Sequence, residues 1–191
     1  MNEKTLREEL RENLIKIIKE KSLSTNVTRV LTSGRTSTYY IDAKMTTLDP
    51  VGSSLVGRLI LDILKPFEID AIGGYTLGAD PIVSVVAALS AETHRPLPAF
   101  IVRKEPKKHG ERKMIEGPFK KGWKVAVVDD VVTTGGSTLK ACRAVEEEGG
   151  EVVLALTLVD RLEGGRENLE KEGYKFVSLF TRNDLLDISE E

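Results

Sequence analysis

Residues 125–138 read Val-Ala-Val-Val-Asp-Asp-Val-Val-Thr-Thr-Gly-Gly-Ser-Thr. Four apolar residues run into two adjacent carboxylates. A short Thr/Gly/Ser segment follows, then a helix-like pattern from about Ser137 to Glu148. The apolar run fits a strand buried on both faces of a parallel sheet. Gly135 and Gly136 let the backbone curl tightly without a Cβ clash. The N–H groups of such a loop, at a helix N-terminus, make a ready anion site. The stretch therefore offers a phosphate cradle beside two carboxylates. That combination suits a sugar phosphate, with N–H groups for the phosphate and Asp129 and Asp130 for ribose hydroxyls. It is not a Walker loop, because Gly136 stands where that loop needs lysine before its Ser/Thr. Nor is it the dinucleotide fingerprint, whose glycine spacing differs.

Outward from this stretch the chain alternates strand and helix. Residues 3–21 pattern as an amphipathic helix with Leu6, Leu10, Leu14, Ile17 and Ile18 on one stripe. From Val27 to Lys44, β-branched and aromatic residues flank Ser33-Gly34-Arg35, which reads as a hairpin appended to the main sheet. Tyr39 and Tyr40 read there as ordinary strand packing. Asp49-Pro50 predicts an N-cap followed by proline in the first helical turn. Asp70-Ala-Ile-Gly-Gly predicts a short strand ending in a glycine turn at Gly73-Gly74. Asp80-Pro81 is expected to cap a buried, nearly all-apolar helix reaching about Leu89. Pro98–Val102 and Val125–Val128 predict two further strands, with the long polar loop Arg103–Lys121 between them. Gly149-Gly150 is expected to end the helix after the cradle. Val152–Val159 predicts a buried strand stopping at Asp160-Arg161, followed by a short helix at about Gly165–Glu172 and a last strand at Lys175–Phe180. This α/β pattern implies a parallel sheet with helices on both faces. Four strand ends, at Gly73–Gly78, Arg103–His109, Asp129–Ser137 and Asp160-Arg161, would converge on one edge, where ligands of such sheets bind.

The bulk properties narrow the function. The chain has 191 residues, 40% hydrophobic and 30% charged, with a net charge of −2. That fits one domain, with no general attraction to nucleic acid or membrane. Charge is uneven, with eight Lys/Arg against three Glu between Arg103 and Lys121. A loop of that length in a compact domain is usually functional or disordered, and its cations suit a pyrophosphate lid. The single cysteine, Cys142, allows no intrachain disulfide and reads as a packed core thiol. Two histidines and one cysteine make no zinc spacing, and His94 reads as a surface residue. With no signal-peptide core and no membrane-length apolar run, a cytoplasmic location is expected.

The cradle resembles the binding signature of the type I phosphoribosyltransferases, and the neighbouring segments sharpen the likeness. Arg103-Lys104-x-x-Lys107-x-His109-Gly110 is similar to the catalytic loop of the orotate phosphoribosyltransferases. Thr32-Ser-Gly-Arg-Thr-Ser-Thr-Tyr-Tyr-Ile-Asp42, Gly73-Gly-Tyr-Thr-Leu-Gly-Ala-Asp-Pro81 and Val159-Asp-Arg-Leu-Glu163 fit the same family in order. The resemblance implies the type I fold over residues 1–191, with a small hood formed mainly by about 22–48 and a C-terminal contribution. It implies Mg2+-dependent transfer of a phosphoribosyl group from phosphoribosyl pyrophosphate to orotate, in pyrimidine synthesis. By that resemblance Asp129 and Asp130 hold the ribose hydroxyls, and Val131, Val132, Thr133, Thr134, Gly135, Gly136 and Ser137 surround the 5′-phosphate. Arg161 pairs with the orotate carboxylate, and the Tyr40-Ile41 backbone meets the base. Arg103, Lys107 and His109 act on the pyrophosphate. Lys104 reaches the site of a partner in a homodimer. Mg2+ is expected to rest largely on substrate oxygens and water.

Two positions depart from the family pattern. Thr32 and Thr76-Leu77 stand where many members carry lysines that touch the phosphoribosyl substrate. Arg35 and Lys44 are candidates to supply the missing charge. Three rival readings are a phosphoribosyltransferase for another base, a nucleic-acid-binding sensor on the same fold, and a degenerate enzyme. Arg161 and the Ser-Gly/Tyr-Tyr segment favour an acidic pyrimidine over the first, and the near-neutral charge disfavours the second.

Overall fold

The computed structural model describes residues 3–25, 29–30, 36–106 and 113–187. The chain opens with helix α1 (Glu3–Ile17), which widens into a π-helical turn at Ile18–Ser22 and ends at extended Leu23. Leu14 and Ile18 are the buried part of the expected stripe, whereas Leu6 is exposed. Four two-residue strands follow: β1 (Leu23–Ser24), β2 (Arg29–Val30), β3 (Thr36–Ser37) and β4 (Tyr40–Ile41). They form two antiparallel ladders, β2 with β3 and β1 with β4, and Leu23 lies opposite Ile41. The expected hairpin is thus present as two ladders, and its Ser33-Gly34-Arg35 turn lies outside the described residues. A single-turn helix absent from the sequence pattern, α2 (Lys44–Thr47), leads to α3 (Pro50–Leu64). Asp49 caps α3 as expected: its Oδ1 accepts from the Val51 and Gly52 N–H groups at 3.0 and 2.9 Å.

The α/β part then runs β5 (Ala71–Tyr75), α4 (Asp80–Ser90), β6 (Ala99–Val102), β7 (Ile115–Glu116) and β8 (Lys124–Val132). It continues through α5 (Gly136–Glu147), β9 (Glu151–Asp160), α6 (Gly165–Lys171), β10 (Phe176–Thr181) and α7 (Arg182–Leu186). The sheet order is β10-β9-β8-β5-β6-β7. All neighbouring pairs are parallel except β6–β7, which is antiparallel, and β7 lies within the long polar loop Arg103–Lys121. β7 and α7 are short and carry no periodicity long enough to read.

Alternation along the strands builds two cores, one on each face of the sheet. Ala126 and Val128 of β8, with Leu154, Leu156 and Leu158 of β9, pack with α1, α3 and α4. Val125 and Val127, with Ala155, pack with α5 and α6 around Ala141, Cys142, Val145 and Leu169. Cys142 is buried there, and burial pushes its thiol up to about 12, so it is an inert core residue as expected.

Three expectations need correction. Gly73 and Gly74 lie inside β5 rather than in a turn after it. A Cβ on Gly73 would strike the Phe100 ring, and one on Gly74 would strike the Val128 carbonyl, so both glycines make room for neighbours across the sheet. Asp80 is the first residue of α4 rather than its cap. Ala79 holds the cap position without a side-chain bond, and Asp80 Oδ2 accepts from the Thr76 hydroxyl at 2.7 Å. Finally, α4 is buried on one side only: Ile82, Val83 and Val86 face the core, while Ser84 and Ala88 are exposed.

Candidate active site

β8 runs four residues past the expected strand end, so Asp129 and Asp130 lie within it as successive residues of opposite parity. Asp129 continues the row of Val125 and Val127 towards α5. Its Oδ2 accepts from the Thr138 hydroxyl at 3.1 Å, and its Oδ1 accepts from the Asp130 N–H at 3.0 Å. Burial first, and the neighbouring Asp130 charge second, push Asp129 up to about 7. Asp130 continues the row of Ala126 and Val128. Its Oδ1 accepts from the Val131 N–H at 2.8 Å, and its Oδ2 lies 3.8 Å from Lys44 Nζ. Gly78 backs directly onto the Asp130 carboxyl, where a Cβ would collide with it. Buried Thr157 on β9 donates to the Asp129 carbonyl at 3.2 Å and steadies the strand end.

β5 is the switch point of the sheet, because its crossover to β6 goes one way and β8 lies on its other side. Ligands of open α/β sheets bind in the crevice at such a point. The β8–α5 turn fills that place. Gly135 takes a φ of +81° and is the cap residue of α5, with no side-chain bond to the first N–H groups of the helix. Gly136 and Ser137 are exposed. The α5 N-terminus is thus uncapped and turned outward, as an anion cradle requires. Asn168 of α6 fixes the turn by donating to the Thr134 carbonyl at 2.9 Å. Thr133 is half-buried and Val131 partly so. Val132 is buried against Gly165, so only its backbone is available to a ligand.

At the end of β9, Arg161 is buried: its side chain is 7% exposed. Its backbone N–H donates to the Val132 carbonyl at 2.9 Å, which sets it beside the cradle. Its guanidinium lies 4.8 Å from the Tyr39 ring centroid and donates from Nε to the Tyr39 hydroxyl at 3.3 Å. Nη2 donates to Glu163 Oε1 at 2.8 Å. Tyr39 is therefore more than strand filling. Tyr40 is half-buried and Ile41 buried, both on the β1–β4 ladder. Lys44 Nζ pairs with Asp42 at 2.8 Å, which holds the lysine above and the carboxyl below their ordinary ranges. Through its second contact Lys44 brings positive charge to Asp130.

The loop after β6 is only partly described. Arg103 Nη1 pairs with Glu116 of β7 at 3.0 Å, and its Nε donates to the Glu105 carbonyl. Lys104 is exposed and lines a cleft with Tyr75, Met114, Lys140 and Arg143 on the α5 flank. Lys107, His109, Thr32 and Arg35 lie outside the described residues. His94 is exposed, as expected. Among the described residues no three His, Cys, Asp or Glu side chains gather into a metal-binding group, and no helix is long and apolar enough to cross a membrane. Sequence reasoning held Tyr39 only as part of the Tyr-Tyr segment and gave Thr138, Glu163 and Asn168 no role beside these residues. Only Glu163 carried a signal, its place two residues after Arg161.

Comparison with known proteins agrees with this geometry. The phosphoribosyl transferase domain family matches residues 83–184. The chain is 49% identical over 178 residues to the orotate phosphoribosyltransferase of Aquifex aeolicus (strain VF5), covering 92% of this chain and 97% of that one. The Mycobacterium tuberculosis H37Rv orotate phosphoribosyltransferase in complex with Fe(III) dicitrate superposes with a TM-score of 0.82 at 39% identity, over 92% of this chain and 98% of that one. The same protein in complex with 5-phospho-alpha-D-ribosyl 1-diphosphate gives a TM-score of 0.77 at 37% identity, with the same coverage.

Proposed function

We propose a division of labour among these residues from one premise: the chain belongs to the orotate phosphoribosyltransferases, enzymes of the pentosyltransferase kind. The reaction transfers the phosphoribosyl group of phosphoribosyl pyrophosphate to orotate, giving orotidine 5′-phosphate and pyrophosphate in pyrimidine biosynthesis. A ring nitrogen of orotate forms the new bond to the anomeric carbon. The carbon–oxygen bond to pyrophosphate breaks, and its electron pair leaves with the pyrophosphate. The orotate nitrogen is anionic or nearly so and needs little general base, so catalysis is mostly positioning and electrostatics.

The observation that carries this reading is the uncapped N-terminus of α5 directly after a strand-end carboxylate pair. The N–H groups of the 133–137 turn bind the 5′-phosphate. Asp130, and Asp129 when ionised, take the ribose hydroxyls. Burial first and the Asp130 charge second raise Asp129 to about 7, so a cation bound nearby would favour its charged form. Mg2+ would rest largely on substrate oxygens and water beside Asp129 and Asp130, and would supply charge neutralisation on the departing pyrophosphate. Lys44 contributes the cation that Thr32 and Leu77 do not. Arg161 meets the orotate carboxylate, where a planar fork matches a carboxylate best. The Tyr40-Ile41 backbone meets the base from the hood, residues 22–48. Arg103, Lys107 and His109 belong to the lid over the pyrophosphate, which also excludes water from an oxocarbenium-like sugar.

The working unit is a homodimer in the cytoplasm, with Lys104 serving the partner's site. Exposed apolar side chains support an assembly: Leu48 is 71% and Leu77 62% exposed, and both line one cleft with Lys44, Asp80, Pro81 and Ser84.

An absorbance assay with Mg2+ and phosphoribosyl pyrophosphate tests the reading, with orotate run beside uracil, hypoxanthine and adenine. Loss of orotate with pyrophosphate release, and no turnover of the other bases, is the expected result. Turnover of another base would keep the phosphate site and discard the orotate pocket.

A further inference from the structure

Arg161 and the two side chains that grip it, Tyr39 and Glu163, are placed by three stretches of chain. Its own position comes from β9, the Tyr39 ring comes from the segment before β4, and Glu163 comes from the β9–α6 loop. The loop is built to return Glu163 to the arginine. Buried Asp160 accepts the Leu162 N–H on Oδ1 at 2.8 Å, and Leu162 takes a φ of +54°, a conformation that non-glycine residues rarely adopt. The chain doubles back over one residue, and the Glu163 carboxylate meets Nη2 at 2.8 Å.

We infer that Glu163 is a positioning residue for base recognition: its carboxylate holds the Arg161 guanidinium in the orientation in which that side chain receives the carboxylate of the acidic pyrimidine. The inference rests on the assignment of Arg161 to that carboxylate. Four considerations support it. A buried guanidinium left without a counter-charge is strongly unfavourable, so an arginine waiting for an anionic substrate needs an internal partner. Arginine is long and has many rotamers, and a fork that must match a planar carboxylate loses affinity when it wanders. Glu163 grips one Nη while Tyr39 occupies Nε and a ring face, so plane and rotation are both set before substrate arrives. Glu163 itself remains partly exposed, at 21% of its side chain, so its carboxylate stands at the rim of the site rather than in the core.

Steady-state kinetics on the full chain tests it. Glu163→Ala is expected to raise the orotate KM at least about fivefold, with kcat and the phosphoribosyl pyrophosphate KM changing less than about twofold. Glu163→Gln keeps an acceptor oxygen at the same reach and is expected to fall between parent and alanine variant. On an Arg161→Gln background the Glu163→Ala change should add nothing further, because the two residues act as one unit. An orotate KM within about twofold of the parent in Glu163→Ala overturns the inference. So does a fall in that KM, which would make Glu163 a competitor, or a parallel rise in the phosphoribosyl pyrophosphate KM. If Arg161→Gln alone leaves the orotate KM unchanged, the assignment of Arg161 fails and the inference falls with it. If Arg161→Gln raises it and Glu163→Ala raises it again by its full factor, only the inference fails.

Discussion

Two strand-to-helix connections lie side by side at the same end of the sheet, and a Gly-Gly pair lies in or just before each. In the β8–α5 turn the pair comes after the strand. Gly135 bends the chain at φ +81°, and the helix start that follows has no side-chain cap. In the β5–α4 turn the pair, Gly73-Gly74, sits inside the strand and gives space to Phe100 and Val128. The helix start there is occupied by its own acid: Asp80 stands in the first turn of α4 and takes the Thr76 hydroxyl. Asp80 thus places negative charge at the positive end of the α4 dipole, where α5 has none in its first turn. The difference teaches that glycines next to a helix do not make a phosphate site by themselves. Their place relative to the last strand residue, and the absence of an acid from the helix's own first turn, leave the start of α5 open to an anion.

The largest expected effect comes from giving α5 what α4 has. Ser137→Asp should raise the phosphoribosyl pyrophosphate KM by about a hundredfold or more, the loss of roughly 2.7 kcal/mol of binding. The melting temperature should hold or rise slightly, because an acid in the first turn favours the helix by about 0.3–1 kcal/mol. Unchanged phosphoribosyl pyrophosphate kinetics would break the comparison. The second effect is the mirror case. Gly74→Ala drives a Cβ into the Val128 carbonyl and should cost about 1–3 kcal/mol by overpacking. Thermal melting would show a drop of roughly 3–10 °C, with activity per folded molecule far less affected.

Asp129→Asn comes third and acts on the acid that the cradle keeps. The folded protein holds this group up to about 7, above its ordinary 3.8, so the folded state binds the proton more tightly than the unfolded one. The parent therefore loses stability as pH rises from 3.8 towards 7. An amide at this position does not titrate and escapes that loss. The variant should match the parent near pH 4 and melt higher at pH 8, by an amount on the order of 1–2 kcal/mol, while turnover collapses. A melting curve with no pH dependence in the difference would show that Asp129 is not strained. The smallest effect is Thr76→Val, which removes the hydroxyl from Asp80. It should cost about 0.5–1.5 kcal/mol and leave turnover within about threefold of the parent.

The organising stretch was legible because two periodicities meet there: a run of valines that only a doubly buried strand explains, then glycines and hydroxyls that only a turn explains. Asp49 and the helix-ending Gly149, at φ +81°, were legible for the same local reason. Gly73-Gly74 misled because the letters of a turn and the letters of a tight strand are identical. What separates them is Phe100 and Val128, which lie elsewhere in the chain. Asp80 misled similarly, since an acid before proline fits either the cap or the first helical residue. Tyr39 could not have been assigned: its partner, Arg161, is 122 positions away and arrives only when the sheet edge is assembled. Residues of the expected lid, Lys107 and His109, fall outside the described structure, so their roles rest on resemblance.

One hydrogen bond described above works as a ruler. The Arg161 N–H meets the Val132 carbonyl, so the residue read as gripping the base and the turn read as gripping the phosphate leave the sheet from directly opposite rungs of two adjacent strands. The two strand ends, Val132 and Asp160, stand one inter-strand spacing apart, about 4.8 Å, which is a property of peptide geometry rather than of any side chain. Such a site cannot be retuned to a longer or shorter substrate by sliding one half past the other. A change of base would have to be made by exchanging what stands at the rung, with the rung itself left in place.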